Sequence, residues 1–316
     1  MVSVVIPAFE EEDAIQATIH DIQEVLAEIE HEILVIDDGS RDATGAKALT
    51  AGAKVIRHPH NLGYGAALKT GIKLAAFDTI VITDADGTYP NGDIPALLQE
   101  YGKGIDMVSG ARTGKHYRES LLKAPLRRVL KWLVEFTTGR KIPDINCGFR
   151  VFSKKSIMPY FERLCNTFSF TTSLTLAYMM TNKFVTYMPI AYHKRIGKTK
   201  VRLFRDSLRT IQYIVQAILY YNPLKIFILM CGSILSLFFF CVFIAVVFKL
   251  TSAFYLGIGS ILLAIQVFCL GLLAELLKQI MSNSASENRA VNSTEAVSMI
   301  SLAPTSSAER TSISSN

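Results

Sequence analysis

The stretch Ile80-Val81-Ile82-Thr83-Asp84-Ala85-Asp86-Gly87-Thr88-Tyr89-Pro90 decides how the rest of the chain is interpreted. Its apolar, β-branched start predicts a buried strand, and the Gly and Pro that follow predict a turn. Such a strand presents Asp84 and Asp86 at the carboxyl edge of a sheet, where α/β proteins bind ligands. Carboxylate oxygens there suit Mg²⁺ or Mn²⁺ held together with substrate phosphates. Asp-x-Asp is also a common turn sequence, so this interpretation needs support from elsewhere in the chain.

The preceding residues repeat a strand–helix pattern. Apolar runs at residues 2–6, 32–36 and 54–57 predict short strands, and amphipathic or small-residue helices are predicted after each. Strands that alternate with helices through short turns indicate a doubly wound, mostly parallel sheet. Pro7 and Asp37-Asp38 then fall at the same sheet edge as the acidic turn.

The composition indicates a membrane-associated protein more than a nucleic-acid binder. The 316 residues carry a net charge of +6, which is too mild to imply nucleic acid, and 50% of them are hydrophobic. The mean hydropathy of +0.30 is high for a soluble protein. Five cysteines without a C-x-x-C spacing favour a reducing compartment and no structural zinc.

Two long apolar runs, residues 224–248 and 253–277, predict a pair of transmembrane helices. At about 1.5 Å per residue, each run is long enough to cross about 30 Å of hydrocarbon. A basic amphipathic helix over residues 202–219 leads into the first run. Positive charge is concentrated before the first span, and the loop between the spans has only Lys249, so the N-terminal domain is expected in the cytosol.

Two further segments have sequence patterns of their own. Residues 118–136 form a basic amphipathic segment that contains Trp132, which fits either a helix packed on the sheet or a helix on an anionic membrane surface. The Ser-rich tail, residues 282–316, lacks aromatic residues and periodicity, and is predicted to be disordered.

Several motifs occur together in register. Four of them resemble the inverting nucleotide-sugar glycosyltransferases of family 2, which have the GT-A fold. These are Val4-Val5-Ile6-Pro7-Ala8-Phe9-Glu10-Glu11, Val35-Ile36-Asp37-Asp38-Gly39-Ser40, Asn61-Leu62-Gly63-x-Gly65-x-Ala67 and Asp84-Ala85-Asp86. Residues 144–152 and 192–200 narrow the resemblance to the polyprenyl- and dolichyl-phosphate hexose synthases. The resemblance covers residues 2–201.

The resemblance implies a nucleotide-sugar pocket at the sheet edge. Pro7, Ala8 and Glu11 would line it, Asp38 would hydrogen-bond the base, and Ala85 would lie beside the donor. Asp37 has the simpler interpretation of a strand cap.

The resemblance also implies a metal site and phosphate contacts. Asp84 would contact the nucleoside or sugar and join Asp86 at Mg²⁺ or Mn²⁺, with Asp86 binding the ion that bridges the diphosphate. Arg112 and Arg150 would face the phosphates of donor or acceptor and take part in catalysis. A structural ion pair is the alternative for Arg150.

A loop over residues 194–200 is expected to close over the donor. The resemblance implies that Arg195 and Lys200 grip the diphosphate, although Lys194 is adjacent to Arg195 and Lys200 also fits an ordinary juxtamembrane cation. Two positions depart from the family pattern, which often has Gln at the position of Thr88 and Asn at the position of Glu10.

The resemblance implies transfer of a hexose, with inversion, from a donor of the UDP-glucose or GDP-mannose type to a polyisoprenyl phosphate. The alternatives are another lipid or polysaccharide acceptor, or a membrane scaffold that binds nucleotide without turnover. The expected organisation is a GT-A domain at residues 1–201, a juxtamembrane helix at 202–222, two spans at 223–278 and a disordered tail at 279–316. Such a protein would lie in a bacterial or archaeal plasma membrane, or in the endoplasmic reticulum of a eukaryote. The sequence leaves open whether the protein forms a homo-oligomer.

Overall fold

The computed structural model describes residues 1–114, 124–196 and 203–301. Two compact units divide the chain, Met1–Asn222 and Pro223–Asn316.

A seven-stranded sheet forms the centre of the first unit. Its strands are β1 (Val2–Ala8), β2 (His31–Asp37), β3 (Lys54–Arg57), β4 (Thr79–Ile82), β5 (Met107–Thr113), β6 (Arg150–Ser153) and β7 (Val185–Ala191). The spatial order is β3-β2-β1-β4-β6-β5-β7, and among these described strands β6 alone runs antiparallel to its neighbours. The expected mostly parallel α/β sheet is therefore confirmed.

Helices cover both faces of this sheet. They are α1 (Ile15–Val25), α2 (Thr44–Thr50), α3 (Tyr64–Leu74), α4 (Ile94–Tyr101), α5 (Ala124–Thr138), α6 (Lys154–Ile157), α7 (Phe170–Met180) and α8 (Leu203–Tyr221). Val4 and Ile6 point to the face covered by α1, α2 and α4, whereas Val5 and Ile36 point to the face covered by α3 and α7. All seven residues of β1 are buried, as expected of a central strand covered on both sides.

The chain order creates a crevice between β1 and β4. The first three strands extend the sheet in one direction from β1, and β4 then pairs on its other side. Ligands bind at such a reversal of strand order, outside the carboxyl ends of the strands. The ends of β1, β2 and β4 at Ala8, Asp37 and Ile82 meet at this edge.

The amphipathic helices α5 and α8 pack on the body of the first unit. In α5, Val134 and Thr137 are buried, whereas Trp132 is 53% exposed and stacks on Phe136. Of the two interpretations of this segment, packing accounts for one face and leaves an aromatic pair exposed on the other. Residues 115–123 lie outside the described part of the chain.

The second unit is a helical hairpin of α9 (Pro223–Phe248) and α10 (Thr251–Ser301). The Cys231 thiol lies 3.4 Å from the carbonyl oxygen of Ala264, and a Cβ at Gly271 would lie 2.6 Å from the Phe227 side chain, so the helices are antiparallel and closely packed. An 18-residue window within Pro223–Phe248 has a mean hydropathy of 2.7, and a window of the same length within Thr251–Met281 has 2.3. Large apolar side chains along both helices stay exposed, for example Phe239 at 68%. Buried core helices of a soluble protein would not show this.

The tail differs from the expectation of disorder over residues 279–316. Helix α10 continues to Ser301. Extending an existing helix avoids the cost of nucleation, and no proline occurs between α9 and Pro304 to stop it. Residues 302–316 lie outside the described part.

Candidate active site

A cavity of about 360 Å³ opens at the carboxyl edge of the sheet. Eight of the residues expected at the site line it: Pro7, Ala8, Glu11, Asp38, Asp84, Ala85, Asp86 and Arg195. The remaining lining residues, which the sequence interpretation did not assign, are Phe9, Asn61, Gly63, Tyr64, Ala67 and Phe168. The strand ends and the acidic turn therefore converge as their order along the chain predicts.

Asp86 is held in place by its own turn. The carboxylate is 4% exposed, and its Oδ1 accepts hydrogen bonds from the Thr88 backbone N–H at 3.1 Å and the Thr88 hydroxyl at 2.6 Å. Gly87 has φ +70°, which suits a glycine at the tip of the turn. Thr88, noted above as a departure from the family pattern, thus orients this carboxylate. Both of its hydrogen bonds are to Oδ1, so Oδ2 remains available for other contacts.

Asp84 shares the cavity with Asp86 and is electrostatically coupled to it. Burial and the neighbouring charge of Asp86 raise the pKa of Asp84 to about 7, although a hydrogen bond from Tyr64 and the charges of Arg195 and Arg112 oppose the rise. The Tyr64 hydroxyl donates that bond to Asp84 Oδ1 at 2.9 Å. Burial, and then Asp84, raise the pKa of Tyr64 well above its usual value, so the hydroxyl stays a donor. Two carboxylates that resist joint ionisation form a donor set that a divalent cation would stabilise.

Arg195 is the cation among the described residues that line the cavity. Its Nη1 lies 3.1 Å from Asp86 Oδ2, and its Nη2 lies 2.5 Å from Glu11 Oε1. Two backbone hydrogen bonds fix the segment along the acidic turn, from Ile196 N–H to the Asp86 carbonyl and from His193 N–H to the Thr88 carbonyl. Lys194 is exposed and does not line the cavity, so of the two adjacent cations Arg195 is the one at the site.

Asp38 supports the wall of the cavity. Its Oδ1 accepts from the Leu62 N–H at 2.9 Å and lies 2.7 Å from His58 Nδ1, and its Oδ2 accepts from the Gly63 N–H at 2.8 Å. The carboxylate therefore fixes the loop after β3, and this use competes with the contact to a base that we expected of it. His58 was missed because only the fold brings it to Asp38. Asp37, in contrast, accepts from the Ser40 N–H at 2.8 Å, as a strand cap does.

The glycines of the Asn-Leu-Gly-x-Gly motif allow a close backbone contact. Gly63 has φ +107°, and a Cβ at this position would lie 2.7 Å from the Asn166 carbonyl oxygen. A Cβ at Gly65 would lie 2.2 Å from the Cys165 carbonyl oxygen. The motif thus brings α3 against the segment before α7, where Phe168 stacks on Tyr64 and closes the cavity wall.

Glu10 lies in the chain between two residues that line the cavity, Phe9 and Glu11, and has φ +53°. This left-handed conformation costs less for Asn than for Glu, because the short Asn side chain tolerates it. The backbone thereby gives a physical reason for the Asn that the resembling family often has at this position.

Arg112 lies behind the carboxylates, outside the cavity lining. Its Nε is 2.6 Å and its Nη2 2.9 Å from the two oxygens of Asp144, and its guanidinium lies over the Tyr192 ring at 5.4 Å. It affects the site through its charge, which lowers the pKa of Asp84. The structure therefore does not place Arg112 at a phosphate as we expected, because two of its guanidinium nitrogens are hydrogen-bonded to Asp144.

Arg150 corrects our expectation more strongly. Its side chain is fully buried, and it donates to the carbonyl oxygens of Cys147, Ile145 and Thr171 and to the Thr175 hydroxyl. With its donors committed to the interior, it cannot face a phosphate in this structure. It joins β6 to α7 through hydrogen bonds, and the ion pair that we considered as its alternative is not what holds it. Lys200, the remaining expected site residue, lies outside the described residues.

The described residues contain no group of three or more His, Cys, Asp or Glu side chains arranged to hold a metal ion. Asp84 and Asp86 alone would leave most of the coordination positions of a divalent cation open. Mg²⁺ sites built from one or two carboxylates and substrate phosphates have this form. The pair fits a metal that binds together with a diphosphate.

Comparisons with known proteins agree with this geometry. The family model described as "Glycosyl transferase family 2" matches residues 3–161, about half of the chain. An undecaprenyl-phosphate 4-deoxy-4-formamido-L-arabinose transferase from Pseudomonas fluorescens is 31% identical over 165 residues, which are 49% of this chain and 48% of that protein. The transferase of the same name from Salmonella choleraesuis is 25% identical over 75% of this chain and 72% of that protein. The matched part thus spans about half of the first relative and more of the second.

Solved structures share the fold at low identity. Glucosyl-3-phosphoglycerate synthase from Mycobacterium tuberculosis superposes with a TM-score of 0.58 in its complex with UDP, at 20% identity. Its complex with Mn²⁺, UDP and glucosyl-3-phosphoglycerate gives 0.56 at 21% identity, and its complex with Mg²⁺ and UDP gives 0.53 at 21%. Each superposition covers 69% of this chain and 79% of that one. The likeness shows a GT-A fold.

Proposed function

Because the chain belongs to the family 2 glycosyltransferases, we propose that it transfers a sugar from a nucleoside diphosphate donor to a polyprenyl phosphate. The observation that carries the proposal is the convergence of Asp84, Asp86 and Arg195 in one cavity at the β1/β4 crevice. Two carboxylates and a guanidinium match the needs of a metal-bound diphosphate. The names of the curated relatives support the choice of a polyprenyl phosphate as the acceptor.

The donor would lie across the carboxyl ends of β1 and β4. Pro7, Ala8 and Phe9 offer an apolar floor, and Tyr64 with Phe168 offers an aromatic wall for the nucleoside. Asp84 and Asp86 would hold Mg²⁺ or Mn²⁺, which would neutralise charge on the departing nucleoside diphosphate. The solved structures that contain Mn²⁺ or Mg²⁺ with UDP support this assignment. Arg195 lies where it would contact the same diphosphate once released from Asp86.

The reaction is a single displacement at the anomeric carbon. A phosphate oxygen of the acceptor forms the new bond, and the bond to the donor's β-phosphate oxygen breaks with inversion. Because a phosphate monoester is already anionic at neutral pH, no strong general base is required. Positioning and stabilisation of the leaving group supply the rate. This agrees with a cavity that lacks histidine among its described lining residues.

The apolar hairpin of α9 and α10 gives a reason for a lipid acceptor. An isoprenoid chain stays in the bilayer, so its phosphate is available only to a domain held at the headgroup layer. We propose that both helices cross the membrane, that the first unit lies on the cytosolic side and that the transferred sugar is a hexose from a UDP-glucose or GDP-mannose type donor.

Membranes that contain the full chain would be assayed with a panel of UDP- and GDP-sugars and a radiolabelled polyprenyl phosphate. We expect one donor to give a lipid-linked sugar, and we expect Asp86→Asn to abolish transfer while Asp21→Asn, on the exposed face of α1, leaves it unchanged. Nucleotide binding without transfer to any lipid phosphate would indicate a scaffold instead. Transfer to a different lipid or to a polysaccharide would show that the proposed acceptor is wrong, while the protein would still be a glycosyltransferase.

A further inference from the structure

A second cavity, of about 240 Å³, lies in the first unit away from the acidic turn. Its walls come from the 3₁₀ segment Met158–Arg163, from α7 and from the second half of α8. Arg163 and the four tyrosines Tyr160, Tyr213, Tyr220 and Tyr221 supply most of its polar groups. It shares no lining residue with the cavity that contains Asp84 and Asp86.

Arg163 is held at this cavity by aromatic groups. Its guanidinium carbon lies 4.2 Å from the Tyr220 ring centroid, and its charge opposes the rise in the pKa of the nearby Tyr221. The neighbouring Glu162 pairs with Lys73, and within the described part of the chain no carboxylate lies within 4 Å of the Arg163 nitrogens. The N–H groups of a guanidinium point outward in its own plane. When one face stacks on an aromatic ring, these N–H groups stay available to bind an anion through two hydrogen bonds.

The tyrosine hydroxyls complete a set of donors. Burial raises the pKa of Tyr221 to about 12, although Arg163 acts against the rise, so this hydroxyl keeps its proton at neutral pH. Tyr160 also lines the cavity, but its hydroxyl donates to Thr181 Oγ1 at 2.8 Å, because the Thr181 hydroxyl donates to the Ala177 carbonyl oxygen. A cavity with one guanidinium, several hydroxyls and no carboxylate among its lining residues is suited to an oxyanion.

The sequence places this cavity near the membrane surface. Only Asn222 separates Tyr221 from Pro223, the first residue of the apolar helix α9. The rim of the cavity at Tyr221 is therefore two residues along the chain from the start of that helix. Tyrosine is enriched at this depth because its ring prefers the apolar side and its hydroxyl the headgroups.

We propose that this cavity binds the headgroup phosphate of an anionic phospholipid, with Arg163 as its principal contact. The inference rests on α9 crossing the membrane and not on the transfer reaction. The lipid would anchor the first unit at the bilayer through a site distinct from that of the donor. The acceptor's phosphate is a poorer choice of occupant, because the lining of this cavity contains none of the groups that would hold a donor.

The test uses the full chain in detergent micelles. Native mass spectrometry would count bound phosphatidylglycerol after titration, with phosphatidylcholine as the zwitterionic control. We expect phosphatidylglycerol to be retained and Arg163→Gln to reduce its occupancy about tenfold, the scale of a lost charge-assisted contact. Tyr221→Phe should reduce it less. Lys155→Gln removes an equivalent exposed charge outside the cavity and should have no effect.

Three results would overturn the proposal. The first is wild-type retention of phosphatidylglycerol by a folded Arg163→Gln protein. The second is displacement of phosphatidylglycerol by stoichiometric polyprenyl phosphate, which would make this a second acceptor site. The third is equal displacement by inorganic phosphate, which would indicate a free-anion site. Donor-dependent transfer measured in the same preparation keeps these outcomes separate from the proposed function.

Discussion

The Arg195 Nη1 lies 3.1 Å from the Asp86 Oδ2, on the carboxylate that we propose as a metal ligand. The same guanidinium pairs with Glu11, so one side chain neutralises two carboxylates of the cavity. Because a metal ion at Asp86 would repel Arg195, metal binding and the ion pair with Arg195 compete for the same carboxylate oxygen, Asp86 Oδ2. The released guanidinium would then be available to the diphosphate that arrives with the metal.

Arg195→Gln should therefore tighten Mn²⁺ binding in the absence of nucleotide while lowering the rate of transfer. We expect an affinity gain on the order of tenfold, or about 1.4 kcal/mol, since the competing charge is gone. Electron paramagnetic resonance of free Mn²⁺ would measure it. Lys194→Gln, which removes the exposed neighbouring charge, is the control. Unchanged or weaker Mn²⁺ binding by Arg195→Gln would show that Arg195 does not compete with the metal.

Thr88→Val should weaken Mn²⁺ binding through Asp86. The substitution keeps the shape of a buried side chain and removes the hydroxyl that donates to Asp86 Oδ1 at 2.6 Å. Partners that orient a metal ligand are commonly worth tenfold or more in affinity, so we expect a loss of about tenfold.

The matched control for this change is Thr83→Val. Thr83 is equally buried, and its hydroxyl donates to Asn91 Oδ1 at 3.0 Å. The Thr83→Val substitution should therefore lower the melting temperature by a similar amount without changing the affinity for Mn²⁺. Equal losses of metal affinity in the two variants would assign the effect to general destabilisation.

The acidic turn and the strand ends could be predicted from the sequence because strand polarity places them at one edge. The contacts that individual side chains make could not be predicted from the sequence. Arg150 lies within residues 144–152, for which the resemblance implies a phosphate contact, yet its partner Thr171 lies on α7 and is brought to it only by packing. His58 reaches Asp38 across the β2–β3 pair in the same way. Tyr64 could have been assigned, since its motif was recognised and its helix begins at the sheet edge.

Arg150→Met should destabilise the first unit and leave donor affinity unchanged in the folded fraction. It removes the donors to the Cys147 and Ile145 carbonyl oxygens, whereas the Thr171 carbonyl oxygen keeps a hydrogen bond from the Thr175 hydroxyl at 2.8 Å. Unpaired buried acceptors cost about 1–3 kcal/mol each, so we expect a loss of several kcal/mol. Differential scanning fluorimetry and the KM for the donor would separate the two effects. A raised KM for the donor at an unchanged melting temperature would indicate that Arg150 contacts a phosphate of the donor.

The last prediction concerns pH and the Arg112–Asp144 pair. Burial alone would raise the pKa of Asp144, but the hydrogen bonds and charge of Arg112 outweigh it and hold the pKa below its usual range. A carboxyl whose folded pKa is lowered contributes stability that is fully present above its unfolded pKa of about 3.9 and is lost as pH falls through the folded pKa.

The melting temperature of Asp144→Asn should accordingly lie below that of the wild type by a constant amount from about pH 5 to pH 7. The gap should narrow as pH falls below about 4, where Asp144 in the unfolded chain takes up a proton, and it should close at lower pH, where the folded Asp144 is protonated too. At neutral pH we expect a cost of about 3 kcal/mol, because the variant leaves a largely buried guanidinium without its counter-ion. Asp21→Asn, on the exposed face of α1, should show little difference at any pH. A gap between Asp144→Asn and wild type that persists unchanged at pH 3 would mean that the carboxylate charge does not stabilise the fold.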